Sequence, residues 1–254
     1  MKFKLEICVD SIESAINAQV AGADRIELCD NLMEGGTTPS YGTIISARKN
    51  LTLGLNVIIR PRGGDFLYSD NEYDIMRRDI EICGEIGADG VVIGILRKDG
   101  SVDVERTADL ISLARPMSVT FHRAFDMCED PHKALEDIIA SGAARILTSG
   151  LKNSAYEGLE MITSLVKQAG NRIIIMPGGG INSFNINEII LLSQASEFHL
   201  TGRKTTESKM VFRREDISLG GYSGINEFSR KIADISLIRK IVKTLKDSNE
   251  PITT

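Results

Sequence analysis

One short pattern recurs along the 254-residue chain, and it constrains the fold more than any other feature. An amphipathic run ends in a small residue and a glycine, and a short β-branched run follows at once. It reads Ala21-Gly22-Ala23-Asp24-Arg25-Ile26-Glu27-Leu28, then Ile86-Gly87-Ala88-Asp89-Gly90-Val91-Val92-Ile93, then Ser141-Gly142-Ala143-Ala144-Arg145-Ile146-Leu147-Thr148. A looser copy runs from Ala169 and Gly170 to Met176. Glycine supplies the left-handed conformation that ends a helix, and a continuous apolar run reads as a strand buried on both faces. Each copy is therefore a helix-to-strand joint.

Extending the pattern predicts strands near 4–9, 25–29, 54–60, 89–94, 118–122, 144–148, 172–176 and 196–201. Helices fall near 11–21, 40–49, 71–86, 103–114, 132–140, 155–168, 185–194 and 226–246. Strict alternation favours a parallel sheet with right-handed crossovers, and eight units in about 250 residues is the size of a (β/α)8 TIM barrel. An open doubly wound sheet shares the alternation, but no G-x-G-x-x-G follows the first strand. No linker or composition break divides the chain, so residues 1–254 read as a single α/β barrel domain. A long β8–α8 loop is expected around 202–225, carrying Arg203, Lys204, Arg213, Arg214 and Gly220-Gly221-Tyr222-Ser223-Gly224.

Strand period two then sorts side chains into two faces. Leu5, Ile7 and Val9 leave Lys4, Glu6 and Cys8 on the other side of strand one. Ile26 and Leu28 leave Arg25, Glu27 and Cys29, while Leu55, Val57 and Ile59 leave Asn56, Ile58 and Arg60. Val119 and Phe121 oppose Thr120 and His122, and Phe198 and Leu200 oppose Glu197, His199 and Thr201. The apolar faces must meet the helices, so Glu6, Glu27, Arg60, His122 and His199 converge inside the barrel. They form a candidate acid/base or ligand-binding set, because unpaired charge in a barrel interior is costly. The competing reading is a buried ion-pair network in which Arg60 bridges Glu6 and Glu27. His132, after Pro131, reads as a solvated or capping residue.

The late units end in Thr148-Ser149-Gly150, Pro177-Gly178-Gly179-Gly180 and Thr201-Gly202-Arg203. Such segments expose backbone N–H groups where many barrels hold phosphate. Ser149, Gly179, Gly180, Gly202 and Arg203, with Arg62 from Arg60-Pro61-Arg62-Gly63-Gly64-Asp65, are the candidate anion-binding residues. Arg123 and Asp126 follow His122 at the same rim.

Charge narrows the partners. With 30 Lys and Arg against 35 Asp and Glu, the net charge of −5 argues against a nucleic-acid or anionic-membrane binder. No apolar run is long enough to span a bilayer, and the start Met1-Lys2-Phe3-Lys4-Leu5-Glu6 has no signal-peptide core, so a cytoplasmic location is expected. The four cysteines form neither a C-x-x-C pair nor a disulfide framework, which fits a reducing compartment. Cys8 and Cys29 close identical E-x-C tripeptides on adjacent strands about 4.8 Å apart. Equal parity points both thiols inward at similar height, where two soft donors suit Cu(I) in low coordination; alternatively they fill the barrel as small apolar groups.

Several of these segments together resemble the CutC family, the copper homeostasis proteins, over nearly the whole chain. They are Leu5-Glu6-Ile7-Cys8-Val9-Asp10, Gly22-Ala23-Asp24-Arg25-Ile26-Glu27-Leu28-Cys29 and Ile59-Arg60-Pro61-Arg62-Gly63-Gly64-Asp65-Phe66. Further on come Thr120-Phe121-His122-Arg123-Ala124-Phe125-Asp126, Ile146-Leu147-Thr148-Ser149-Gly150, Gly178-Gly179-Gly180 and Glu197-Phe198-His199. The resemblance implies a cytoplasmic barrel, commonly a homodimer or higher homo-oligomer, with Cu(I) held by Cys8 and Cys29. The inward Glu, His and Arg set exceeds what two thiols need. It keeps open an isomerase, epimerase or lyase acting on a small phosphorylated or carboxylated metabolite.

Overall fold

The glycine joints behave as their chemistry requires. Helix α1 (Ile12–Ala21), α3 (Asp70–Ile86) and α5 (Pro131–Ser141) end on Gly22, Gly87 and Gly142 at φ 95°, 81° and 92°. Each glycine N–H returns to carbonyls of the last turn, so the helix ends satisfied and the chain turns into a strand. The looser copy differs: Gly170, after α6 (Leu159–Ala169), takes φ 56° and ψ −126°, outside the left-handed helical region. Several helix starts are fixed by side-chain caps, including a reciprocal Ser69–Glu72 capping box on α3, whereas α6 starts without one.

The chain is described by a computed structural model covering residues 3–214, 216, 217, 219 and 226–248. Eight parallel strands are β1 (Lys4–Val9), β2 (Arg25–Leu28), β3 (Gly54–Ile58), β4 (Gly90–Ile93), β5 (Ser118–Phe121), β6 (Arg145–Thr148), β7 (Ile174–Pro177) and β8 (Glu197–Leu200). They pair in sequence order, β8 also pairs with β1, and a parallel bridge between Gly178 and His199 brings the chain past β7 against β8. The remaining helices are α2 (Tyr41–Asn50), α4 (Val104–Leu113), α7 (Ile186–Ser193) and α8 (Ile235–Asp247). The fold is therefore the expected (β/α)8 barrel. Among the described residues no helix is long and apolar enough to cross a membrane.

Two features differ from expectation. Residues 203–207 form β9 (Arg203–Glu207), which pairs antiparallel with β10 (Ser229–Ala233), where the sequence suggested an open loop and then the start of the last helix. Ile232 and Ala233 are buried on α1, and Asn17 Nδ2 and Ser14 Oγ bond the Ala233 backbone, which holds this segment extended. The helix starts only after Asp234, whose carboxylate accepts from Ser236 and Leu237 N–H. The Gly220–Gly224 run lies outside the described residues.

The second difference lies at the barrel floor. Arg25, not Arg60, bridges two buried carboxylates: Nε donates to Glu6, and Nη2 donates to Glu197 at 2.5 Å. Asn56 donates to the same Glu6 oxygen at 2.8 Å, and Arg145 reaches Glu197 at 3.1 Å. Register explains the exchange. Glu6 is the direct partner of Arg25, whereas Arg60 lies beyond the end of β3. Burial alone would raise the Glu6 pKa, but Arg25, His199 and Arg145 together hold it below the ordinary carboxylate value.

Removing the guanidinium leaves Glu6 and Glu197 buried without their shared cation. Arg25→Met is expected to lower stability in urea unfolding by about 3 to 5 kcal/mol. An unchanged midpoint would show that the cluster is not what holds the floor.

Candidate functional site

The C-terminal mouth of the barrel opens into a cavity of about 430 Å³, which Cys8, Glu27, Arg60, His122, Gly179, Gly180, His199 and Arg203 help to line. A larger hollow of about 800 Å³ beside the β9–β10 hairpin gathers no comparable set of buried groups. Low on the cavity wall three donors converge. One ligand atom each from Cys8, Glu27 and His199 lies within 4.8 Å of the other two. His199 Nε2 sits 2.7 Å from Glu27 Oε2 and 3.8 Å from Glu6 Oε1.

Their meeting follows from strand order. Strands β8, β1 and β2 are neighbours, with Glu6 level with His199 and Cys8 level with Glu27. Burial opposes protonation of His199, yet its contacts with Cys8 and Glu27 outweigh burial and raise its pKa well above 6.5. The site thus favours the protonated form of this imidazole more than water does.

Cys29 occupies a different place. The register puts Cys29 one pleat above Cys8, not beside it, yet Cys8 Sγ and Cys29 Sγ are 3.6 Å apart. Cys29 lies outside the cavity lining, packed beneath Gly36, where a Cβ would fall 3.3 Å from its sulfur. Burial chiefly, then Cys8 and the carboxylates of Glu27 and Glu6, pushes the Cys29 thiol well above its ordinary pKa.

Higher on the wall, His122 follows β5 and caps the short 3-10 turn Arg123–Met127, with its Nδ1 accepting from Ala124 N–H at 3.1 Å. Gly94 makes room for this ring, since a Cβ there would lie 2.4 Å from it. Arg60 is buried and spends its terminal nitrogens on the carbonyls of Glu34, Gly36 and Gly64 at 2.7 to 2.8 Å. Phe66 lies against both, 5.1 Å from each.

The other candidates sit elsewhere. Glu6 lies in the floor cluster below the cavity. Arg62 turns to the outer loop, bonded to Glu72 at 2.5 Å and Asp65 at 3.0 Å. Ser149 directs its N–H and hydroxyl to Asp126, so the anion it serves is internal. Gly202 packs beneath α8, where a Cβ would lie 2.6 Å from Ile238. His132 stands at the start of α5, paired through Nδ1 with Gln168 Oε1. Ile58, Phe66 and Leu147 line the cavity although sequence reasoning did not select them. Ile58 has inward parity, but an apolar side chain there is indistinguishable in sequence from barrel packing.

The fold and this site define a class: a (β/α)8 barrel with a thiol, imidazole and carboxylate cluster in its C-terminal mouth. The CutC family model matches residues 3–204. The chain is 48% identical to the human copper homeostasis protein cutC homolog over 239 residues, 94% of this chain and 88% of that one. It is 50% identical to a family protein CutC of Chromobacterium violaceum, covering 95% of this chain and 97% of that one. The crystal structure of a CutC protein from Streptococcus agalactiae superposes with a TM-score of 0.75 at 37% identity, covering 78% and 98% of the two chains. Phosphoribosylanthranilate isomerase from Thermotoga maritima, TM-score 0.58 at 13% identity over 96% and 99%, shares the fold. The chain belongs to the CutC family, the copper homeostasis proteins.

Burial first, then the Arg60 charge, lowers the His122 pKa to about 3, against about 6.5 when unfolded. Between these values only the unfolded chain takes up this proton. The stabilisation is complete above about pH 6.5 and is lost as pH falls toward 3, at up to about 1.4 kcal/mol per pH unit. His122→Gln, which cannot titrate, is expected to flatten this acid limb in chemical unfolding measured from pH 7 to 4; an unaltered limb would contradict it.

Proposed function

We propose that the protein binds Cu(I) through Cys8 and Cys29 and handles copper as cargo, in keeping with the names its relatives carry. The contact between the two sulfurs, 3.6 Å apart beside an open cavity, supports this reading most directly. Two partner sets compete for an ion at Cys8. Glu27 and His199 suit a harder or borderline ion, whereas Cu(I), a soft ion, prefers the second sulfur. Copper would enter through the cavity, reach Cys8 and draw in Cys29, with each ligating thiol losing its proton. All four cysteines are free and buried, which accords with a cytoplasmic, reducing setting. Exposed Phe184, Leu191 and Leu192 accord with the homo-oligomer that the family resemblance implies.

Titration with Cu(I) under reducing conditions against a chromophoric chelator is expected to give about one ion per chain, lost when Cys8→Ser and Cys29→Ser are combined. Unchanged stoichiometry in the double variant would overturn this reading.

The cavity favours a second reading, since about 430 Å³ is far more than an ion needs. The Glu27–His199 pair supplies a carboxyl and an imidazole that face the cavity at 2.7 Å from each other. Such a pair serves proton transfer in an isomerase, epimerase or lyase acting on a small phosphorylated or carboxylated metabolite. A thermal-shift screen of sugar phosphates and carboxylates should then show at least one stabilising ligand, and no shift with any compound would count against catalysis.

A further inference from the structure

The upper wall holds a cation that pairs with no carboxylate and a hydrogen-bond donor that meets no acceptor among the described residues. An imidazole nitrogen that accepts a hydrogen bond carries no proton, so the Ala124 N–H bond to Nδ1 puts the His122 hydrogen on Nε2. Nε2 is fully buried and has no hydrogen-bond partner among the described residues. The ring is wedged against Gly94, and reversing it would cost Ala124 its acceptor.

Arg60 is the second group. Arg60 is 5% exposed, and its neighbours are neutral: three carbonyls that accept from it, and the Tyr68 hydroxyl close by. Among the described residues no carboxylate forms an ion pair with it, and its Nε has no hydrogen-bond partner. Buried guanidinium groups are ordinarily paired with an anion, as Arg25 is in this same barrel. Arg60 acts on His122 as a like charge, so the two share one patch of wall, and both line the cavity. Phe66 covers them with its ring, on the loop between β3 and α3.

We propose that Arg60 and His122 form an oxyanion subsite: an oxygen of a small carboxylate or phosphate accepts from His122 Nε2–H, with the Arg60 charge as counter-ion. The imidazole serves as a neutral donor and not as a base, because its one hydrogen is already committed to Nε2. Neutral imidazole donors of this kind polarise ligand oxygens in known barrel enzymes. Strand β5 lies across the ring from β1, so a ligand anchored here faces Cys8 and the Glu27–His199 pair. The subsite deepens the second reading above by naming the ligand's anchoring group, and it is independent of whether Cu(I) binds the thiols.

The test is isothermal titration of the full chain with oxalate and, separately, inorganic phosphate, in a buffer without competing oxyanions. One or both should bind the wild type with one site per chain. His122→Phe keeps the ring shape without the donor and should weaken binding by about tenfold or more, whereas His122→Gln retains an N–H and should stay within about threefold. Thermal melts of both variants identify misfolding. Should His122→Phe not fold, nitrogen-15 spectra of wild-type histidine decide the matter: Nε2 of His122 should carry the hydrogen and shift on adding the anion.

No binding of either anion, equal binding by folded His122→Phe, or a hydrogen on Nδ1 would overturn the subsite. Anion binding that depends on His122, with no turnover of any tested metabolite, would leave the subsite standing and remove the catalytic reading. Turnover insensitive to His122 would do the reverse.

Discussion

The interior of this barrel depends on one guanidinium. Arg25 lies between Glu6 and Glu197 at the floor, where the three strands β1, β2 and β8 run side by side. Without it two carboxylates would be buried with only partial compensation, and a barrel of this kind would be driven to fill its centre with apolar side chains, as most do. Arg25 thereby makes a polar interior compatible with folding. Glu6 in turn carries one oxygen to within 3.8 Å of His199, so the floor cluster also sets the electrostatics of the layer above.

Three layers follow, each with a different chemistry. The floor is closed and held by ion pairs through Arg25 and Arg145, with one Glu6 oxygen, Oε1, left without a hydrogen bond among the described residues. Above it, sulfur, imidazole and carboxylate converge with a second sulfur tucked behind. The mouth holds a buried cation bonded to neutral carbonyls but to no carboxylate, and a neutral donor, His122 Nε2, without an acceptor among the described residues. The layers run from carboxylates ion-paired with arginines at the floor to the groups at the mouth that the proposed oxyanion would pair.

Much of this was legible in the chain itself, and the limits have physical causes. The helix-Gly-strand joint and period-two alternation carried the fold, because both are local and depend on few residues. Alternation also identified which residues face inward, including His122 and His199. It fixes the face of a residue but not its height, and height decided the outcome twice. The competing ion-pair reading had Arg60 bridge Glu6 and Glu27, yet Arg60 lies beyond the end of its strand, and the bridge that forms is Arg25 between Glu6 and Glu197. Cys8 and Cys29 close identical tripeptides, but the register offsets them by one pleat.

Other differences arise from contacts between distant parts of the chain. Ser149 and Arg62 looked available for an anion because the sequence does not reveal that Asp126 and Glu72 already occupy them. The β9–β10 hairpin is held by α1, more than two hundred residues earlier. Ile58 and Leu147 line the cavity and were passed over because apolar side chains carry no chemical signature. On the proposed copper reading, a soft ion is held by both sulfurs and not by the mixed set around Cys8. X-ray absorption at the copper edge of the Cu(I)-loaded protein tests it most directly: two sulfur neighbours are predicted, and one sulfur accompanied by nitrogen and oxygen would contradict it.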